Sequence, residues 1–457
     1  MPPRFSSISD VTDSAIVFRY KKFANISVFL TIISQIGIII SNSSFEHVYD
    51  KLDDNQQDII YYATIAPQLL SPILAGYLLD KKYYRQVLII AFLITVAGQT
   101  FITISSALSP LNFGLIIAGR ILYAIGFAMA IPSLVRFVLM WLAAEKIPMG
   151  IASLFVVEIL SSTVGILLYN ITLKLEQTNL WLTQAIALGA CAISLLFASV
   201  LYYLDHLANI KDMRDINIMM QPPPPNFRKL FSMPFLLWGT LISAAATLAT
   251  IYVFQSYQLS LIYTLLDIED NPYYNMIFNL LTMIALPIFA KFVRVEKQKL
   301  KLLVLEQGFA IIGFILLASY ASWAVYIPGL SILAITQAGL YLTYFILMLS
   351  VMKWEMIGIM IGLFYAFRNS LIFLLENSEI QIFSYLEDKG ISPLAEYREF
   401  VLFNMAITLL LGLMLSGITY LMNRKKRSTE TGGNSITGED YTRSDQNRMS
   451  LLSDESP

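Results

Sequence analysis

Four charged side chains stand inside long apolar runs, where a charge needs a reason. Glu158 falls in the run 149–171, Arg368 in 357–376, Arg120 in 113–138 and Glu306 in 302–320. At the centre of a bilayer such a group costs about 2.5–3.5 kcal/mol on insertion scales, so it is kept where it faces protein, water or a counter-charge. At 1.5 Å of rise per residue, Glu158 and Arg368 both sit near the middle of their runs. One attracts an amine and the other a carboxylate, so together they suit a zwitterionic solute. Two further readings stand beside that one: the charges pair and only hold the bundle, or Glu158 takes up a proton. Arg120 lies nearer the end of its run. Glu306 is about one turn inside, where it could snorkel towards a Lys-rich loop. Gln68, Gln255 and Asn279 lie at similar depth as candidate solute contacts, although such amides also bridge helices for about 0.6–2 kcal/mol each.

The elements that position these residues follow from composition. The 457-residue chain is 56% hydrophobic and 14% charged, with a mean hydropathy of +0.64, against about 25% charged residues in a water-soluble domain. About 20 mainly apolar residues cross a bilayer. Such stretches predict helices over 23–41, 59–79, 86–106, 113–138, 149–171, 180–204, 234–262, 273–292, 302–320, 325–351, 357–376 and 400–422, since backbone groups in lipid must bond internally. The polar stretch 205–233, with prolines at 222–225, divides them six and six and reads as a semi-rigid linker. Residues 1–22 form a polar N-terminal tail with no cleavable signal, and 423–457 a tail too polar to order. With both termini cytoplasmic, 24 of the 31 Lys and Arg fall on the cytoplasmic side and four (Lys51, Lys174, Lys389, Arg398) opposite, the other three lying within spans. That asymmetry is the positive-inside pattern.

Between the second and third spans, Gly76, Asp80, Lys81 and Arg85 fit G-x-x-x-D-R/K-x-x-x-R/K. This resembles the loop motif of the major facilitator superfamily. The resemblance implies an all-α polytopic membrane protein of twelve transmembrane helices in two pseudo-symmetric six-helix bundles, the major facilitator fold. It implies that Asp80 caps a facing helix and pairs with Arg136 of span 4, as a gate that locks the outward-open state. The second half keeps Lys291 and Arg294 at the equivalent place but has Ala290 for the glycine and no aspartate. Gly119 and Arg120 followed by Gly126 also resemble the family's arginine-glycine pattern, and Gly98, Gln99, Gly119, Arg120, Trp141 and Ser162 to Val164 are similar to the branch of lysosomal dipeptide uniporters. The acid and base with which that branch holds peptide termini have Ala128 and Ile159 in their places.

The expected function is secondary active or facilitative transport of a small polar solute, with or without a proton, by alternating access; amino acids or short peptides are the best guess. The alternative is a transport-inactive relative acting as a membrane scaffold or accessory subunit. An enzyme is not expected: no span holds a histidine and none has paired carboxylates. No cofactor or metal is expected, since Cys191 is the one cysteine and His47 and His206 have no second ligand at metal spacing. The net charge of −1 speaks against nucleic acid. The expected partners are the solute and the lipid bilayer, and the branch resemblance implies an auxiliary single-span glycoprotein. That resemblance and a partial dileucine signal at Leu451 and Leu452 favour an endolysosomal or vacuolar membrane, with the plasma membrane also open. Asn42 and Asn170 head glycosylation sequons in non-cytoplasmic positions.

Overall fold

A computed structural model describes residues 23–49, 51–142, 144–175, 180–215, 235–255, 273–295, 299–319, 323–351, 356–388 and positions between 405 and 421. The N-terminal tail, the Pro222–Pro225 linker, the C-terminal tail and Leu451–Leu452 lie outside these residues.

Eleven long helices follow in order: α1 Ala24–Ser44, α2 Asp54–Leu78, α3 Tyr84–Ser106, α4 Phe113–Trp141, α5 Ile147–Leu175, α6 Leu180–Asp215, α7 Phe235–Val253, α8 Tyr273–Val295, α9 Lys299–Ser319, α10 Trp323–Val351 and α11 Ile357–Asp388. The described positions between 405 and 421 are helical and belong to a twelfth. Among the described residues ten helices are long and apolar enough to cross a membrane, and Leu237–Val253 of α7 is a shorter apolar stretch. Large apolar side chains such as Leu70, Ile288 and Phe292 are exposed on the outside of the bundle, as suits a surface solvated by lipid.

The two halves repeat one another. In the first half α1 packs on α5, and α2 and α3 on α4; in the second α7 packs on α11, and α8 and α9 on α10. Between the halves, α2 packs on α11 and α5 on α8. Buried amides reinforce each half. Gln99 of α3 accepts from Ser41 at 2.8 Å and donates to Gln184 of α6 at 2.9 Å. In the second half Gln307 of α9 donates to Ser243 and Thr247 of α7 at 2.5 and 3.1 Å, and Ser243 meets Ser416 of the twelfth helix at 2.5 Å. Inside lipid these bonds replace those that water would offer.

Two boundaries differ from the sequence reading. α6 runs on past 204 to Asp215, because Asp205 is fully buried and bonded to Tyr84 at 2.8 Å and Arg85 at 2.5 Å. Asn42, expected in the first non-cytoplasmic loop, lies within α1.

The α2–α11 crossing allows no side chain. A Cβ on Gly76 would stand 2.3 Å from the Gly358 carbonyl oxygen, and one on Gly362 2.1 Å from that of Pro72. Pro72 also lacks an N–H, so the carbonyl of Gln68 one turn earlier loses its helical partner. Asn369 of α11 donates to that carbonyl at 3.2 Å. Gly76→Ala should force the helices apart at a cost of about 1–3 kcal/mol, read as a lowered melting temperature of the purified protein. Gly189→Ala, where an added Cβ meets nothing within 4 Å, should melt with wild type.

Candidate functional site

The chain turns between α2 and α3 through a π-helical turn, Leu79–Tyr83, which aims Asp80 at the start of α11. Asp80 Oδ1 accepts from the Gly358 amide at 2.9 Å and Oδ2 from the Ile359 amide at 2.8 Å. The first amides of a helix have no intrahelical acceptor and carry its positive dipole end, so an anion is favoured there. Arg136 Nη2 of α4 stands 3.9 Å from Oδ1 and compensates the charge. One carboxylate of the first half thus holds the first turn of α11 in the second. Lys81 and Arg85 turn to their own half: Lys81 Nζ lies 4.2 Å from the centre of the Tyr77 ring, and Arg85 pairs with Asp205.

Eleven residues into α11 comes Arg368, and eleven residues into α5 comes Glu158. Both helices begin at the Asp80 end, so both groups lie about 16 Å inside the bundle at 1.5 Å per residue. Since α5 and α11 are equivalent in the two halves, acid and base occupy matching positions across the pseudo-two-fold. The two charges act on one another, yet they form no ion pair within 4.0 Å among the described residues. Glu158 is half-buried and Arg368 is 9% exposed.

Aromatic side chains frame the pair. The guanidinium carbon of Arg368 lies 4.9 Å from the centre of the Tyr252 ring of α7 and 6.0 Å from that of Tyr341 of α10, distances at which a cation is held by a ring face. Tyr252 is 38% exposed although it stands over a buried arginine. Phe155, one turn before Glu158, packs on Tyr341 at 4.4 Å. Among the described residues, Arg368 Nε and Tyr365 Oη, and on α10 one turn before Tyr341 the Gln337 Oε1, are buried polar atoms with no hydrogen-bond partner. A buried polar group left unbonded costs about 1–3 kcal/mol, a cost that a bound polar molecule would remove.

The remaining sequence candidates are distributed around this centre. Gln255 donates to Asn279 at 2.5 Å, and Asn279 to Thr163 of α5 at 3.2 Å, a chain joining the halves on the side of the centre away from Asp80. On that side Tyr61 of α2 also donates to Glu376 of α11, and Tyr62 to Asn377 at 3.2 Å. The centre is therefore enclosed between two sets of bonds that cross from half to half. Gln68 meets α11 through its carbonyl. Arg120 is held within the first half, donating to Thr64 at 3.1 Å with its guanidinium carbon 4.2 Å from the centre of the Phe45 ring, and it is not brought to Glu158. Glu306 does not snorkel: it is 2% exposed and bonded to Thr343. Tyr252, Gln337, Tyr341, Tyr365 and Glu376 were missed. The i, i+4 spacing of Gln337 and Tyr341 places them on one face of α10, and that was the available signal.

Residues 26–375 match the family model described as Major Facilitator Superfamily. The chain belongs to that family. Solved structures share the major facilitator fold at low identity. The human organic anion transporter MFSD10 (TETRAN) is similar with a TM-score of 0.63 and 12% identity, over 86% of this chain and 99% of that one. A bacterial homologue of the iron transporter ferroportin, in an outward-facing state with soaked iron, gives 0.66 and 12% over 88% and 99%. The E. coli fucose:proton symporter gives 0.56 and 14% over 87% and 99%. No protein of curated function matches the sequence. As a major facilitator protein, the chain is a multi-pass integral membrane protein of a solute-transporting family.

Asp80→Asn keeps the shape and removes the charge that binds the first turn of α11. Amide exchange at Gly358 and Ile359 should quicken by about tenfold for each 1.4 kcal/mol lost. Exchange unchanged from wild type would show that this bond contributes nothing to closure.

Proposed function

We propose that this major facilitator protein carries zwitterionic solutes, amino acids or short peptides, by alternating access around Glu158 and Arg368. One observation carries the reading: an acid and a base stand at matching depth in the equivalent helices α5 and α11, unpaired within 4.0 Å, beside the unbonded Arg368 Nε, Tyr365 Oη and Gln337 Oε1. Glu158 receives the amine and Arg368 the carboxylate, and the solute's two charges replace the counter-charge that each lacks. Sites at the midplane between repeats suit carriers, whose halves rock around a fixed centre.

In this reading the Asp80 turn, with Gly76 and Arg136, is the cytoplasmic gate, and the bonds of Tyr61, Tyr62 and Asn279 close the opposite side. Gln68, Gln255 and Asn279 act as gate and wall residues that reach the solute as the halves part. Arg120 supports the first half beside the outer entrance. Both termini are cytoplasmic. The endolysosomal or vacuolar setting, a link to dipeptide uniporters and an accessory glycoprotein belong to the same proposal, supported by the residues from Gly98 to Val164.

Thermal stabilisation of the purified protein by amino acids, dipeptides, sugars and organic acids tests the reading. A ligand at a hundred times its Kd raises stability by about 2.7 kcal/mol. Amino acids or dipeptides should stabilise wild type, and Glu158→Gln or Arg368→Ala should abolish the effect. Stabilisation by sugars or organic acids alone would overturn the zwitterion assignment. No ligand in any class, with no flux in vesicles, would favour a transport-inactive scaffold.

A further inference from the structure

Glu306 of α9 is the buried carboxyl that neither the central cluster nor the bonds at either end employ. Its Oε1 accepts from Thr343 Oγ1 of α10 at 2.8 Å. That oxygen lies so near Gly339 that a Cβ there would stand 2.6 Å away. The second oxygen, Oε2, is buried and has no hydrogen-bond partner among the described residues. Among the described residues no cation lies within 4.0 Å of the group, whose side chain is 2% exposed.

The elements packed around it supply little charge. α10 carries no charged side chain, and its ionisable groups are Tyr326, Tyr341 and Tyr344. α8 carries Tyr273, Tyr274, Lys291 and Arg294, of which Lys291 is exposed. α9 itself carries Lys299 and Lys301 in its first turn, and Lys301 is exposed. An unpaired carboxylate so placed costs several kcal/mol. The neutral acid avoids that cost and makes one oxygen a hydroxyl donor.

We propose that Glu306 is a proton-binding site separate from the central cluster, its proton held between α9 and α10. Loss of the proton leaves a buried anion between α9 and α10 with Thr343 as its one donor among the described residues, and a movement of α10 that brings it a further donor or water relieves that cost. α10 also carries Tyr341, whose ring centre stands 6.0 Å from the Arg368 guanidinium carbon, so such a movement reaches the centre. The proton site stands on its own geometry; its coupling to solute movement rests on the carrier reading.

Infrared difference spectroscopy of the protein in lipid at neutral pH tests the site without any solute. Wild type minus Glu306→Gln should show a carboxylic-acid carbonyl absorption that the variant loses. Loss of carboxylate absorptions instead would overturn the proposal. Thr343→Val covers the case in which Glu306→Gln does not fold: it keeps the acid, removes its one donor and should shift the acid absorption. An unshifted absorption would overturn the assignment to Glu306. In vesicles with a stabilising solute, flux should follow a pH gradient in wild type and ignore it in Glu306→Gln. Absent flux with the infrared loss intact would remove the carrier reading and leave the proton site.

Discussion

A carboxylate set against the start of a helix is the contact on which the arrangement of the two halves depends. Asp80 offers two oxygens to two amides that α11 cannot satisfy itself, and Arg136 compensates the charge that remains. Because the contact is with the first turn of α11, it fixes where that helix begins relative to α2. Everything farther along α11 is then set by helical rise: Gly362 against Pro72, Asn369 against the Gln68 carbonyl, Arg368 at the depth of Glu158. Polar groups that cannot be left to lipid therefore register one half on the other.

Much of this was legible in the sequence, and the legible part follows one rule. Lipid forces backbone groups into helices and strongly disfavours stray charge, so apolar run length located the spans, and charges inside runs marked the residues to examine. The depth of Glu158 and Arg368 could be reckoned from helical rise alone. The Gly76 to Arg85 pattern pointed to the turn, since few residue types suit a crossing without a side chain followed by an anion. What was not legible depends on rotation about the helix axis. Depth alone placed Gln255 and Asn279 near the centre, but did not show that they bond one another and Thr163. Arg120 was placed near the end of its run, and only the fold shows that Thr64 and Phe45 hold it in its own half.

Tyrosines escaped for a different reason. A Tyr in an apolar run is ordinary packing unless its hydroxyl is known to lack a partner, and only the fold shows that Tyr365 does. Glu306 shows the same limit, because its distance from the end of the run permitted an escape to water that its orientation towards Thr343 forbids.

The matched depth of Glu158 and Arg368 has an electrical consequence. Moving one elementary charge through a membrane potential involves about 2.3 kcal/mol per 100 mV, enough to bias any carrier whose centre is charged. On the proposed carrier reading, with both side chains ionised at a single level, their terms cancel and a zwitterion adds none. On that reading the membrane voltage exerts no net pull on this centre, empty or loaded.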